Sequence, residues 1–259
     1  MPEQAPAPPA PGSGDALKVT AQIVHEYLSA IRFIIGDTAR DPSFGSTHLL
    51  SYLSQDFIES AASIVFLAHS GALSVPKREL RFLIESSIKL CYVQQKNYSS
   101  PLENKLKQFD RELSSSSIAI KRDLALSMLS SDLQDEFGEE LGRLYGKTST
   151  YVHLSTQQII ERIAAVDSGR TIGYESAAEV EELNALIARG FAASLVLILH
   201  SVSEYVAGDW LVDSDGDPID SYFLGSRFVA AMDGYFDYKS ERKSRIEAIQ
   251  MTRAERIHF

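Results

Sequence analysis

The chain has one cysteine, Cys91, in 259 residues. A disulfide needs two cysteines and a cysteine-based zinc site needs more, so an internal disulfide and a multi-cysteine zinc site are both excluded. Cys91 sits among Ile88, Leu90, Tyr92 and Val93. That setting predicts a buried, inert thiol rather than a nucleophile. Positive charge is also short: 25 Lys plus Arg stand against 35 Asp plus Glu, a net charge of −10. Phosphate contacts need a positive surface, so non-specific nucleic-acid binding is disfavoured, although a local basic patch can still hold RNA. Long apolar runs are missing too. The most apolar stretch, Phe191 to Leu199, is far shorter than the roughly 20 residues of a membrane span. The first residues have neither the basic start nor the apolar segment of a signal peptide. Five prolines fall within residues 1–11, so residues 1–14 are expected to form a disordered, extended tail. The expected setting is cytoplasmic, with no membrane contact.

Signature motifs are equally scarce. There is no P-loop, no Gly-rich dinucleotide fingerprint, no His-Glu-x-x-His and no Gly-x-Ser-x-Gly. His25, His48, His69, His153, His200 and His258 are scattered, with no pair at a helical metal spacing. No metal or cofactor is expected. The stretch from Asp213 to Asp220 alternates carboxylates as a calcium loop does. Counting from Asp213, Pro218 and Leu224 occupy the places where such a loop needs Gly and Glu. A solvated turn is expected there.

What the sequence does have is helix punctuation. Ser100-Pro101-Leu102-Glu103, Ser131-Asp132-Leu133-Gln134 and Ser176-Ala177-Ala178-Glu179 each fit a capping box ahead of an apolar-periodic segment. Apolar residues recur at three and four and almost nowhere at two. Asp15 is expected to cap a first helix reaching about Arg40, and Ser46 to open a second that ends on a left-handed Gly71. Pro76 starts a third, and Ser100 a fourth that breaks at Ser114 to Ser117. A short helix then runs from Ile118 to Leu129. The helix from Ser131 is expected to kink at Gly146 to Thr150 and resume from Tyr151 to Val166. The helix from Ser176 is read as reaching Val206, with Ala192 to Leu199 apolar nearly all round. A last helix spans Ser221 to Phe236. The expected architecture is an all-α bundle of about seven to eight helices over residues 15–238, built round a long apolar central helix. Residues 239–259 carry six Lys or Arg against three Glu and are read as a charged helical extension, solvated or oligomeric.

Two segments carry polar groups on otherwise apolar helices. Arg81 and Glu85 stand four apart and can pair on one face, beside Ile88 and Tyr92. Between Arg143 and His153 lie Lys147 and the tyrosines 145 and 151. Lys147 or Thr150 can share a face with His153, and a histidine beside a fixed cation is available neutral, as a general base must be. Isolation of buried polar groups costs more than pairing, so Tyr151 and His153 are expected near the Arg81–Glu85 pair.

The run Arg81 to Leu90, followed by Leu144 to His153, resembles uncharacterised bacterial helical proteins distantly related to HEPN (higher eukaryotes and prokaryotes nucleotide-binding) domains. The resemblance covers roughly residues 46 to 205 and rests on short motifs. It implies a metal-independent, dimeric ribonuclease whose pattern is Arg, a polar residue, a short spacer and His. His153 matches the His. Lys147 stands in the Arg position, with Thr148 as the polar residue and five residues between Lys147 and His153. Lys binds phosphate as a point charge without the bidentate fork of Arg. The leading expectation is therefore a helical binding or regulatory protein without catalysis, homo-oligomeric, with a protein partner, in a bacterial defence or toxin–antitoxin setting. Arg81, Glu85, Arg143 and Tyr151 are its candidate binding residues. The alternative is a ribonuclease using His153 with Lys147 on RNA.

Overall fold

The computed structural model describes residues 13–113, 123–153, 155–167, 169, 175–211, 221–236 and 257. Among these residues there is no strand, and one isolated bridge joins Ser226 to Ile257. The helices are α1 (Ser13–Thr38), α2 (Phe44–Thr47), α3 (Leu50–His69), α4 (Ser74–Lys96) and α5 (Leu102–Leu113). They continue with α6 (Ser131–Val152), α7 (Thr156–Asp167), α8 (Ala177–Leu199), α9 (Glu204–Leu211) and α10 (Arg227–Tyr235). The all-α class holds, with ten α-helices among the described residues, several of them short pieces of the about seven to eight expected.

The frame is a ring of four helices. α8 packs on α1 and α4, and α3 closes the ring by packing on both of those; α6 covers the other side of α4. α1 joins through Ile23, Tyr27, Ile31 and Ile34, all fully buried at three- and four-residue spacing. α8 is buried nearly all round, including Ala193, Leu197 and Leu199. By length and apolarity alone it matches a membrane span, but most of its surface is covered by the other helices. Gly190 lets α4 approach closely, since a Cβ there would come within 2.5 Å of Leu80 Cδ1. Polar side chains on α8 are satisfied inside the ring. Ser194 Oγ bonds both Tyr27 Oη (2.9 Å) and Ser87 Oγ (2.7 Å). Asn184 Oδ1 accepts from Thr20 Oγ1 at 2.6 Å, and its amide donates to the Ala16 carbonyl at 2.7 Å.

The punctuation is partly as expected. The Ser176 box closes on Glu179 in both directions. Gly71 takes φ +73°, and the amides of Gly71 and Ala72 bond back to Ala68 and Leu67, a Schellman ending. At Ser131 the box is displaced: Ser130 is the cap residue, makes no side-chain cap bond, and Gln134 donates instead to the Leu129 carbonyl. α5 begins at Leu102, and Glu103 is engaged by Lys107 at 2.7 Å. α1 already includes Ser13 and Gly14, and Asp15 lies in its first turn, paired with Lys18. Residues 124–130 are not helical. The Ser46 helix is two pieces, α2 and α3; the Ser176 helix stops at Leu199; and Ser226 splits the last one into a 3-10 turn and α10. Residues 1–12, the first five residues of the expected 118–129 helix, the 213–220 turn and nearly all of the charged extension lie outside the described residues. Within that extension Ile257 is buried, and its amide donates to the Gly225 carbonyl at 3.4 Å.

Buried titratable groups stitch the chain at the α8 break. His48 Nδ1 accepts from the Leu50 amide (3.0 Å), which leaves Nε2–H to donate to the Ser201 carbonyl (2.9 Å). His200 Nδ1–H donates to the Val196 carbonyl (2.7 Å), and its Nε2 accepts from the Met128 amide (3.2 Å). Burial pushes both imidazoles down to about 4, and for His48 the nearby Lys105 ammonium adds to the effect. Lys105, 2% exposed, donates to the carbonyls of Thr47 and Tyr98, and burial lowers its ammonium to about 8. Cys91 is fully buried and its thiol is pushed up by that burial.

Leu197→Ala is expected to destabilise the fold by about 2–5 kcal/mol in a denaturant titration, because α8 is enclosed and the site cannot collapse; a loss under about 1 kcal/mol would place α8 at the periphery. Acid should act through the two histidines. Their folded pKa values lie below that of free imidazole, so the unfolded chain takes up protons first as pH falls. Their stabilisation is complete above about pH 6.5 and is lost toward pH 4, roughly 3 kcal/mol for each. Urea midpoints measured from pH 7 to 4 should fall accordingly, and His200→Gln should shallow the decline.

Candidate functional site

The Arg81–Glu85 pair lies on the seam between α4 and α6, where Tyr145 and Ser149 meet it; of the two residues expected there, Tyr151 joins through its backbone carbonyl and His153 stands exposed outside. Arg81 is nine-tenths buried. Its Nε donates to Ser149 Oγ at 3.0 Å and its Nη1 to Glu85 at 2.7 Å, while the guanidinium lies 3.3 Å from the Tyr145 ring centroid. Glu85 also accepts from Lys89 Nζ at 2.8 Å, so a ladder at positions 81, 85 and 89 runs along α4. One turn earlier, Arg78 Nε donates to the Tyr151 carbonyl at 2.7 Å. That bond satisfies an orphan carbonyl at the end of α6 and sets a cation on the negative end of its dipole. The seam is thus a structural network, enclosed at Arg81 and Lys89 and open to solvent at Arg78 and Glu85, that also caps a helix.

The other candidates separate from it. Arg143 pairs with Glu139 (3.4 Å) and Glu140 (2.9 Å) on its own helix. The Glu140 carboxylate is fully buried and also accepts from Arg189 Nε at 2.8 Å, tying α6 to α8. α6 shows no break at Gly146 to Thr150; the helix runs on to Val152. Thr148 and Thr150 hydroxyls donate to the Leu144 and Lys147 carbonyls at 2.7 Å, so these apparent breakers are satisfied within the helix. The junction falls at His153, whose backbone is extended and whose side chain is exposed; its amide bonds the Ser149 carbonyl at 3.3 Å. Among the described residues the His153 ring makes no hydrogen bond and joins no ion pair.

Lys147 and Tyr151 line a cleft of about 720 Å³. It lies between α7 on one side and, on the other, the α3–α4 turn, the end of α6 and the start of α8. His153 is not part of its wall. Tyr151 Oη accepts from Lys77 Nζ (3.0 Å) and donates to Glu161 (3.1 Å), and Lys77 Nζ also sits over the Tyr151 ring at 4.2 Å. Lys77, Lys147 and Arg162 bring cations to the wall; Glu175, Glu179 and Glu182 bring carboxylates; Leu73 and Leu186 add apolar surface. Arg162 reaches across to Ser74 Oγ at 3.2 Å. Among the described residues no three metal-ligating side chains converge. The arrangement can hold a ligand carrying both charges; the cleft wall contains no thiol or imidazole.

Glu140 and the α7 wall were missed in the sequence. Glu140 had a signal: it shares the apolar stripe of Phe137, Leu141, Leu144 and Thr148. The cleft had none, since its walls come from four separate stretches of chain. No protein family, curated protein or solved structure matches the chain.

Two substitutions separate network from cleft. Glu140→Ala removes the carboxylate that Arg143 and Arg189 share, and is expected to destabilise by about 3–5 kcal/mol. Lys147→Ala is exposed and should change stability by less than about 0.5 kcal/mol. Chemical denaturation of both variants checks the contrast.

Proposed function

We propose that the chain is a binding or regulatory protein without catalysis of its own, which takes its ligand in the cleft beneath α7. One observation carries this reading. Of the candidate stretch from Arg143 to His153, the exposed Lys147 and the half-buried Thr150 and Tyr151 line the cleft, while the exposed His153 stands outside it. A general base has to lie within hydrogen-bond reach of the proton it takes and is commonly held by a second group. His153 has no such holder among the described residues, and the guanidinium groups of the seam are already committed, Arg81 to Glu85, Ser149 and Tyr145 and Arg78 to the Tyr151 carbonyl. The cleft suits a short polar chain such as a peptide segment. Cations and carboxylates on its wall would fix the direction of the segment, and Leu73 and Leu186 would take an apolar side chain.

The ribonuclease reading rests on the exposed Lys147 and His153 and asks for RNA cleavage. Purified protein incubated with single-stranded RNA, without divalent metal, should leave it intact. Cleavage that disappears in His153→Ala, with the melting temperature unchanged, would overturn the proposal. In the binding arm, peptides that raise the melting temperature of the wild type should lose that effect in a Lys147→Glu, Glu182→Lys double variant.

A further inference from the structure

α7 is mounted with its polarity reversed. Its one buried residue is Gln158. Gln158, Arg162 and Ala165 recur at four and three and share the inward face, where Arg162 meets Ser74 and Glu161 meets Tyr151. The face next to it, which meets the cleft at Val166, carries Ile159, Ile163 and Val166, 44, 54 and 73% exposed, with Ile160 beside them at 54%. A helix normally buries such a stripe, and a contiguous exposed apolar patch marks an interface. The spacing of 159, 163 and 166 is that of the seam of a two-stranded coil, four then three. Arg162, which would give up its Ser74 contact on pairing, and Asp167 fall on opposite flanks of this seam, at the positions that face one another across a pair of helices.

The flanking charges choose the occupant. In a parallel pair of α7 helices the position of Arg162 faces a residue five places further along the other helix, and that residue is Asp167. The attraction occurs twice, once on each side of the seam. An antiparallel pair would set like flanks together, Arg162 against Arg162 and Asp167 against Asp167. A membrane surface fits poorly, because interfacial helices carry Lys and Arg on the polar face. Here the charges of α7 are Glu161, Arg162 and Asp167 on a chain of net charge −10. We infer that α7 is a self-association helix: two copies of this chain pair in parallel along Ile159, Ile163 and Val166, with Arg162 of each facing Asp167 of the other. This goes beyond the ligand reading, with which it shares Arg162 and Val166 at the rim of the cleft.

The full chain is examined by sedimentation velocity from about 1 to 500 μM, a range suited to a small interface. The wild type is expected to convert reversibly from monomer to dimer. Ile163→Asp should weaken association at least about tenfold while its circular dichroism and melting temperature match the wild type. Arg162→Asp and Asp167→Arg should each be monomeric alone. Mixed, they should form a heterodimer, because each faces its opposite charge in the other chain. A wild type that stays monomeric throughout overturns the inference, as does an Ile163→Asp protein that dimerises like the wild type. A mixture of the two charge variants that associates no better than either alone also overturns it. So does a monomeric wild type that binds phosphatidylserine vesicles through the same face.

Discussion

Everything in this molecule is arranged round one shared hydroxyl. Ser194 lies on a helix enclosed on every side, where an unpaired polar group would be a heavy penalty. It is satisfied from two directions, by Tyr27 on α1 and by Ser87 on α4. That triple contact fixes both neighbours in rotation and in height against α8. Tyr27 stacks on Phe191 one turn away, and Gly190 admits Leu80, so apolar packing and hydrogen bonding specify the same register. Where both agree, alternative packings have little to offer.

The outer parts inherit their positions from that frame. Once α4 is fixed, Lys77, Arg78 and Arg81 point along one line, and the end of α6 is drawn onto them by its carbonyls and by Ser149. α6 is then tied back to α8 through Glu140 and Arg189. α7 stands outside this closed circuit. Its links to the body are polar and few, Tyr151 to Glu161 and Arg162 to Ser74 among them, and the cleft opens beneath it. The molecule therefore grades from an apolar, doubly specified centre to a polar, lightly held margin, which is where binding elements are usually found.

The central helix was legible because it is apolar on all sides, a pattern that local sequence carries by itself. The Arg81–Glu85 pair was also legible, from polar residues set four apart in an apolar helix, but the side chains that meet it are Tyr145 and Ser149 rather than Tyr151 and His153. Other features misled. Gly146 with Thr148, Ser149 and Thr150 looks like a break, yet the threonines bond to their own helix and the turn survives. The Ser131 box fails by a single residue, since Ser130 takes the cap. His153 seemed to belong with Lys147, but the helix ends between the last turn and the imidazole, and the extended backbone carries His153 away. The stitching by His48 could not be read at all, because its carbonyl partner lies 153 positions further along.

Lys105 bears on how the fold breathes. Its ammonium is closed in by the carbonyls of Thr47 and Tyr98, so it ties α5 to the ends of α2 and α4 beside the packing of Leu102 and Phe109 on the core. Any reagent that attacks amines must wait until α5 lifts. Lys18, Lys96, Lys107 and Lys147, by contrast, stand exposed. The rate at which this one is labelled therefore counts the openings of α5, and the protein carries its own clock for that motion.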